Sequence, residues 1–271
     1  MADTNFLSID HISVDPRVHV DALDAGDAWP PLLRPGVLAG HGSYDQWETR
    51  LLQDFLAPVL RGALPLASAL GSALCWTDVL RAWRPSDGAL EVLVARPWRH
   101  PDLARLLTQP VSTNHLASTV RDALIAQVPE AWQPAAWPAG LTDPSGDATP
   151  VTAADAEQAL ARYLGTRLFG SWVAYQGDGL RSVAASLVSA YALVALALTA
   201  SAARPMTFGH ITDSLRAADW LLLHLLDRPQ WAAWCRAWEK SPDARPLIAL
   251  VAAADRLIRD LPWSPTPASP A

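Results

Sequence analysis

The sequence predicts an all-α fold, a multi-helix bundle in two helical halves joined by a Pro/Gly-rich linker. Three observations lead there. Apolar residues recur at three- and four-residue spacing along most of the chain, Ser, Thr, Asp or Pro stands where those runs begin, and Gly or Pro stands where they stop. With 51% hydrophobic residues, the chain can also bury a substantial core.

Residues 1–42 read as an irregular arm, because Pro30, Pro31 and Pro35 with Gly36 and Gly40 forbid a continuous helix. The N-terminal helical half spans 43–128. Ser43 and Gln46 make a capping-box pattern ahead of Trp47, Leu51, Leu52, Phe55, Leu56, Val59 and Leu60, and Gly62 ends that helix. A second helix is expected from about Leu66 to Trp83, stopped by Arg84-Pro85, and a third between Ser86-Asp87 and Pro97. Pro101 opens a short helix that stops at Gln109-Pro110. Ser112 or Thr113 caps the next, which carries Leu116, Val120, Leu124 and Val128.

Residues 129–150, rich in Pro, Gly, Asp and Thr, form the expected linker. The C-terminal half, 151–261, opens with Thr152 and Asp155 before Leu160, Tyr163, Leu164 and Leu168. Phe169–Gly179 reads as a loop, followed by a long apolar helix that stops at Arg204-Pro205. Thr207 caps a helix bearing Ile211, Leu215, Ala218, Leu222 and Leu225. Pro229 starts another, with Trp231, Trp234, Cys235 and Trp238 on one stripe. Pro246 starts the last, whose Leu247, Leu250, Val251, Ala254, Leu257, Ile258 and Leu261 share a side. Residues 262–271, with four prolines, are expected to be a disordered tail.

A net charge of −6 and scattered arginines give no basic stripe to follow a phosphate backbone, so no nucleic-acid partner is expected. Lys240 is the only lysine among 21 basic residues, a bias that, with the abundance of Ala, Arg, Asp, Pro and Trp, points to a GC-rich bacterial genome. Cys75 and Cys235 lie far apart within apolar helical patterns, which suits buried thiols in a reducing, cytoplasmic compartment. Met1–Asp15 has neither the basic nor the apolar stretch of a signal peptide.

Ser182–Ala203 is long enough to cross a bilayer, which takes about 20 apolar residues. Its content is poor for that purpose, because nine Ala and four Ser supply little transfer energy. A buried central helix is therefore expected, with membrane association as the alternative that length alone supports.

Four groupings can carry chemistry. The N-terminal set Asp10, His11, Asp15, His19, Asp21, Asp24 and Asp27 has metal-ligand chemistry but no periodic frame to hold it. The helix with His210, Asp213, Asp219 and His224 is the second, but its two histidines, on nearly one face, are about 21 Å apart, too far to share an ion. The segment Gly170–Gly179 places Trp172, Tyr175, Gln176 and Asp178 between two apolar helices, with Arg181 one turn beyond as a counter-charge. Its aromatics can equally seal the end of a bundle. The Trp231, Trp234 and Trp238 stripe suits a core or an interface. No P-loop, GxGxxG, HExxH, GxSxG or SxxK motif occurs. No metal or cofactor is expected.

The runs ARYLGTRLFGSW, LVSAYALVALAL and LRAADWLLLHL, within residues 155–226, resemble the C-terminal helices of flagellin lysine-N-methylases and related bacterial cysteine-cluster proteins. That resemblance implies a bacterial helical scaffold that holds a protein substrate or partner. The family's cysteine-rich region is missing here, and Cys75 and Cys235 match nothing in it, so its cluster chemistry does not carry over.

The expected function is a non-catalytic helical binding protein of the bacterial cytoplasm with a protein partner. The expected binding residues are Trp172, Tyr175, Gln176, Asp178 and Arg181. The enzyme alternative is a lysine-methylase-like protein-modifying activity or its partner subunit.

Overall fold

The computed structural model describes residues 62–82, 103–108, 148–170, 180–200, 205–220, 222, 237–238, 241 and 243–265. Among the described residues the fold is all-α, with six helices. They are α1 (Leu66–Ala82), α2 (Leu103–Thr108), α3 (Ala153–Gly170), α4 (Leu180–Ala200), α5 (Phe208–Trp220) and α6 (Arg245–Arg259).

α4 is the axis of the bundle and packs against α1, α3, α5 and α6. It is the one described helix long and apolar enough to cross a membrane, and 83% of its most apolar stretch is buried inside the fold. Its small residues explain the arrangement. Ala185, Ala190, Ala192, Ala195 and Ala197 are all fully enclosed, so four neighbouring helices can approach its backbone closely. Leu187, Leu193, Leu196 and Leu198 fill the remaining volume.

Helix starts follow the local chemistry. Thr152 and Asp155 form a reciprocal box at the head of α3, with Asp155 N–H donating to Thr152 Oγ1 (3.2 Å) and Thr152 N–H to Asp155 Oδ2 (3.2 Å). Thr207 stands at the head of α5, where its backbone N–H donates to His210 Nδ1 (3.2 Å). The imidazole thus does the work that Glu or Gln performs in a capping box. Pro246 lies in the first turn of α6, where its missing N–H costs nothing. α3 extends through Phe169 and Gly170, two residues into the segment expected as a loop.

α1, the long described helix of the N-terminal half, shares one hydrophobic core with the C-terminal half. Leu66, Leu70, Leu74 and Trp76 join Val188, Leu193, Leu247 and Val251 in a single cluster. α2 packs on both α1 and α6. Gly71 faces the contact of α1 with α2: a Cβ there would lie 2.7 Å from Leu103 Cδ1, so the end of the leucine side chain would have to shift.

Three extended stretches meet at one end of the bundle. Val151 N–H donates to the Met206 carbonyl (3.1 Å), Phe208 N–H to Thr149 (3.1 Å) and Ser264 N–H to Val151 (3.0 Å). Thr149 and Pro150, in the expected linker, and Pro262–Ser264, in the expected tail, therefore take part in backbone pairing. Trp263 Nε1 also donates to the Ile258 carbonyl (2.7 Å) in the last turn of α6, which accepts from the Leu261 N–H as well (3.2 Å). The heads of α3 and α5 and the foot of α6 are thereby gathered together. The head of α4 lies at the opposite end, about 30 Å away along its 21 residues.

Candidate functional site

Two ionic groups enclosed in the bundle, those of Arg181 and Asp219, lie toward the end where α4 begins. Arg181, in the first turn of α4, is 1% exposed. All three of its guanidinium nitrogens are engaged. Nε donates to Thr77 Oγ1 (3.1 Å), Nη1 donates to the Ser241 carbonyl (2.6 Å), and Nη2 pairs with Asp78 Oδ1. Thr77 passes its own proton to the Leu74 carbonyl (2.6 Å), which leaves its oxygen free to accept from Arg181.

Asp78 does two jobs. Its Oδ2 accepts from the Ala244 backbone N–H (3.1 Å) at the head of α6, where Ala244 provides no side-chain cap. One carboxylate thus neutralises a buried cation and satisfies an orphan helix donor. Arg181, expected as a counter-charge for a ligand loop, instead directs its donors into the fold and ties α1, α4 and the approach to α6 together.

A second ionic group joins α3 to α5. Tyr163 Oη donates to Asp219 Oδ1 (2.6 Å), and Arg167 Nη1 pairs with the same oxygen while lying 5.7 Å over the Tyr163 ring. Asp219 is 2% exposed, so its charge is sustained by these partners rather than by water. Burial, together with the adjacent Asp219 carboxylate, holds the Tyr163 hydroxyl far above the usual tyrosine range. The phenol therefore stays protonated and acts as a donor, not as a base.

His210 and Asp213 are also enclosed. Beyond its bond to the Thr207 amide, His210 Nδ1 lies 2.8 Å from Thr207 Oγ1. Asp213 forms an ion pair with Arg216 (3.5 Å) one turn on. His210 thus serves the head of its own helix. Ser214 Oγ is the one buried side-chain oxygen or nitrogen among the described residues without a partner.

Trp172, Tyr175, Gln176 and Asp178 lie outside the described residues, as do His224, Trp231, Trp234, Cys235 and the acidic N-terminal set from Asp10 to Asp27. Trp238 is described and packs, half-buried, against the core. Among the described residues no group of three or more His, Cys, Asp or Glu side chains converges to hold a metal.

Sequence reasoning named Asp219 on the His210 helix but did not join it to Tyr163 and Arg167, and it missed Thr77 and Asp78 as partners of Arg181. A signal was present. Tyr163 and Arg167 are four residues apart on one helical face, and Thr77-Asp78 interrupts an otherwise apolar run. Their partners, however, lie 52 to 166 residues away.

Comparison with models of protein families, with curated proteins and with solved structures finds no match to this chain.

Proposed function

We propose that this chain is a non-catalytic helical binding protein that engages a protein partner through the segment joining α3 to α4. Its contact residues are Trp172, Tyr175, Gln176 and Asp178, and Arg181 is the anchor rather than a contact. The observation that carries this reading is the Arg181 junction. It fixes the C-terminal root of the segment to α1 and to the head of α6 through three bonded guanidinium nitrogens.

A recognition segment gains affinity when its ends are held before binding, because less ordering entropy is then lost. Tyr163, Asp219 and Arg167 support the other root by tying α3 to α5 within two turns of Gly170. The acids and bases at this end bond to one another, which suits a scaffold better than proton transfer. Trp and Tyr supply large, stiff contact area, and Gln176 and Asp178 supply directional acceptors.

The test replaces Trp172 or Tyr175 by a photo-reactive phenylalanine in the full chain and irradiates in host cells. Gln158, exposed on α3, provides the control position. The reading expects one partner cross-linked from 172 and 175, absent from 158, and lost in the Gln176→Ala/Asp178→Ala background with an unchanged melting temperature. Equal labelling from all three positions would retire the segment as a recognition site.

A further inference from the structure

At the end of the bundle opposite Arg181, three main-chain hydrogen bonds close a ring. Val151 N–H donates to the Met206 carbonyl (3.1 Å), Met206 N–H to the Pro262 carbonyl (3.4 Å), and Ser264 N–H to the Val151 carbonyl (3.0 Å). Residues 262–264, just beyond the foot of α6, supply one donor and one acceptor to that ring. Three further ties at this end do not involve them. Phe208 N–H bonds to the Thr149 carbonyl, Thr152 is boxed with Asp155, and Thr207 with His210.

We propose that residues 262–264 form a releasable clasp, which opens and closes as a unit between the foot of α6 and the heads of α3 and α5 while the helices stay folded.

The attachment is small. Pro262, Trp263 and Ser264 are each half-buried, and Pro265 is exposed. Pro262 has no N–H, and the Trp263 N–H turns back to the Leu261 carbonyl (2.8 Å). Ser264 therefore provides the segment's one main-chain donor to another stretch. The bond that the segment accepts, from Met206 at 3.4 Å, is longer than the usual range of about 2.7–3.2 Å.

Trp263 is the latch. Its ring packs against the core, and its Nε1 donates to the Ile258 carbonyl (2.7 Å). That carbonyl also accepts from the Leu261 N–H, so loss of the indole bond leaves no orphan acceptor in α6. Opening frees two main-chain groups of the ring, the Val151 carbonyl and the Met206 N–H, and admits water to both.

Reclosing is favoured by the segment itself. Proline fixes its own φ, so Pro262 and Pro265 lower the entropy lost when the segment is laid down again. A unit with few bonds to its neighbours opens locally at less than the global unfolding free energy.

Amide hydrogen exchange of the full chain, read residue by residue by NMR from zero to low urea, tests the clasp. The Met206 and Ser264 amides should share one protection factor that urea barely changes. Val151, Phe208 and Ile248, whose acceptors lie outside the clasp, should be better protected. Trp263→Phe keeps an aromatic ring and deletes the indole donor. It should speed exchange at Met206 and Ser264 by about two- to tenfold and leave Val151 and Ile248 unchanged. Equal protection of all five amides, or a Trp263→Phe effect that is absent or spread evenly over them, would overturn the proposal.

Discussion

Asp78 accepts a hydrogen bond from the backbone amide of Ala244, a residue 166 positions later in the chain. Glu157 does the same for Leu66, 91 positions earlier. The heads of α6 and α1 are thus capped by carboxylates from other helices, Asp78 of α1 and Glu157 of α3. A carboxylate at a helix head satisfies an orphan donor and opposes the positive end of the dipole. Caps of this kind couple the stability of one helix to the docking of another.

Removing Asp78 should therefore be costly. Asp78→Ala leaves the buried Arg181 charge with only neutral partners and uncaps α6. Breaking a buried pair costs about 3–5 kcal/mol. Because the Asp78 side chain is 35% exposed, water can partly replace it, so a loss of about 2–4 kcal/mol in urea unfolding is expected. Asp243→Ala removes an exposed pairing with Arg245 and the acceptor of its backbone N–H (2.9 Å) at the same helix head, and should cost less than Asp78→Ala because no buried charge is stranded. Equal losses for the two variants would deny Asp78 its special place.

Tyr163 and Asp219 should behave as one unit. Tyr163→Phe loses a hydroxyl whose acceptor keeps Arg167, for an expected cost of about 1–2 kcal/mol. Asp219→Ala strands a buried phenol and a guanidinium, for about 3–5 kcal/mol. In the double variant the cost should fall short of the sum by about 1 kcal/mol or more. Additive losses in a double-mutant cycle would show the two groups to be independent.

Ser214→Ala is expected to stabilise the protein. The hydroxyl is fully enclosed without a partner, and such a group costs about 1–3 kcal/mol to bury. Alanine also has the higher helix propensity. A gain of about 0.5–1.5 kcal/mol by thermal melting is expected. A loss of stability would mean that the oxygen is bonded after all.

Cys75 supplies a prediction at alkaline pH. Burial, with the nearby Asp78 charge, pushes its thiol from 9.0 up to about 12. Between pH 9 and pH 10, below the tyrosine range, the unfolded chain sheds this proton while the folded chain keeps it. Stability should therefore fall with rising pH through that window, and Cys75→Ala should flatten the fall. In a Cys235→Ser background, a thiol reagent at pH 8 should label Cys75 only after denaturant is added. Rapid labelling of the folded protein would contradict its burial.

Much of the fold was legible locally. Thr152 with Asp155, Thr207 and Pro246 mark helix heads, because a cap acts within one turn of the residue that makes it. The apolar content of α4 announced a helix needing cover on every side, and the structure provides four neighbours. The end of α3 was less legible. Gly170 is the last residue of α3, where glycine closes a helix at little cost, so the helix runs on through Phe169.

Among the described residues, the sequence by itself determined where helices form and which faces are apolar, because periodicity and capping depend on neighbours within about four residues. Only the tertiary structure decided the partners of the charges. Arg181 looked like a free cation beside a polar segment, and packing enclosed it against Thr77, Asp78 and Ser241. Glu157 of α3 became the cap of α1, 91 positions away in the chain. An ion pair or a remote cap is set by distance through space, and helices acquire those distances only when their apolar faces are buried together.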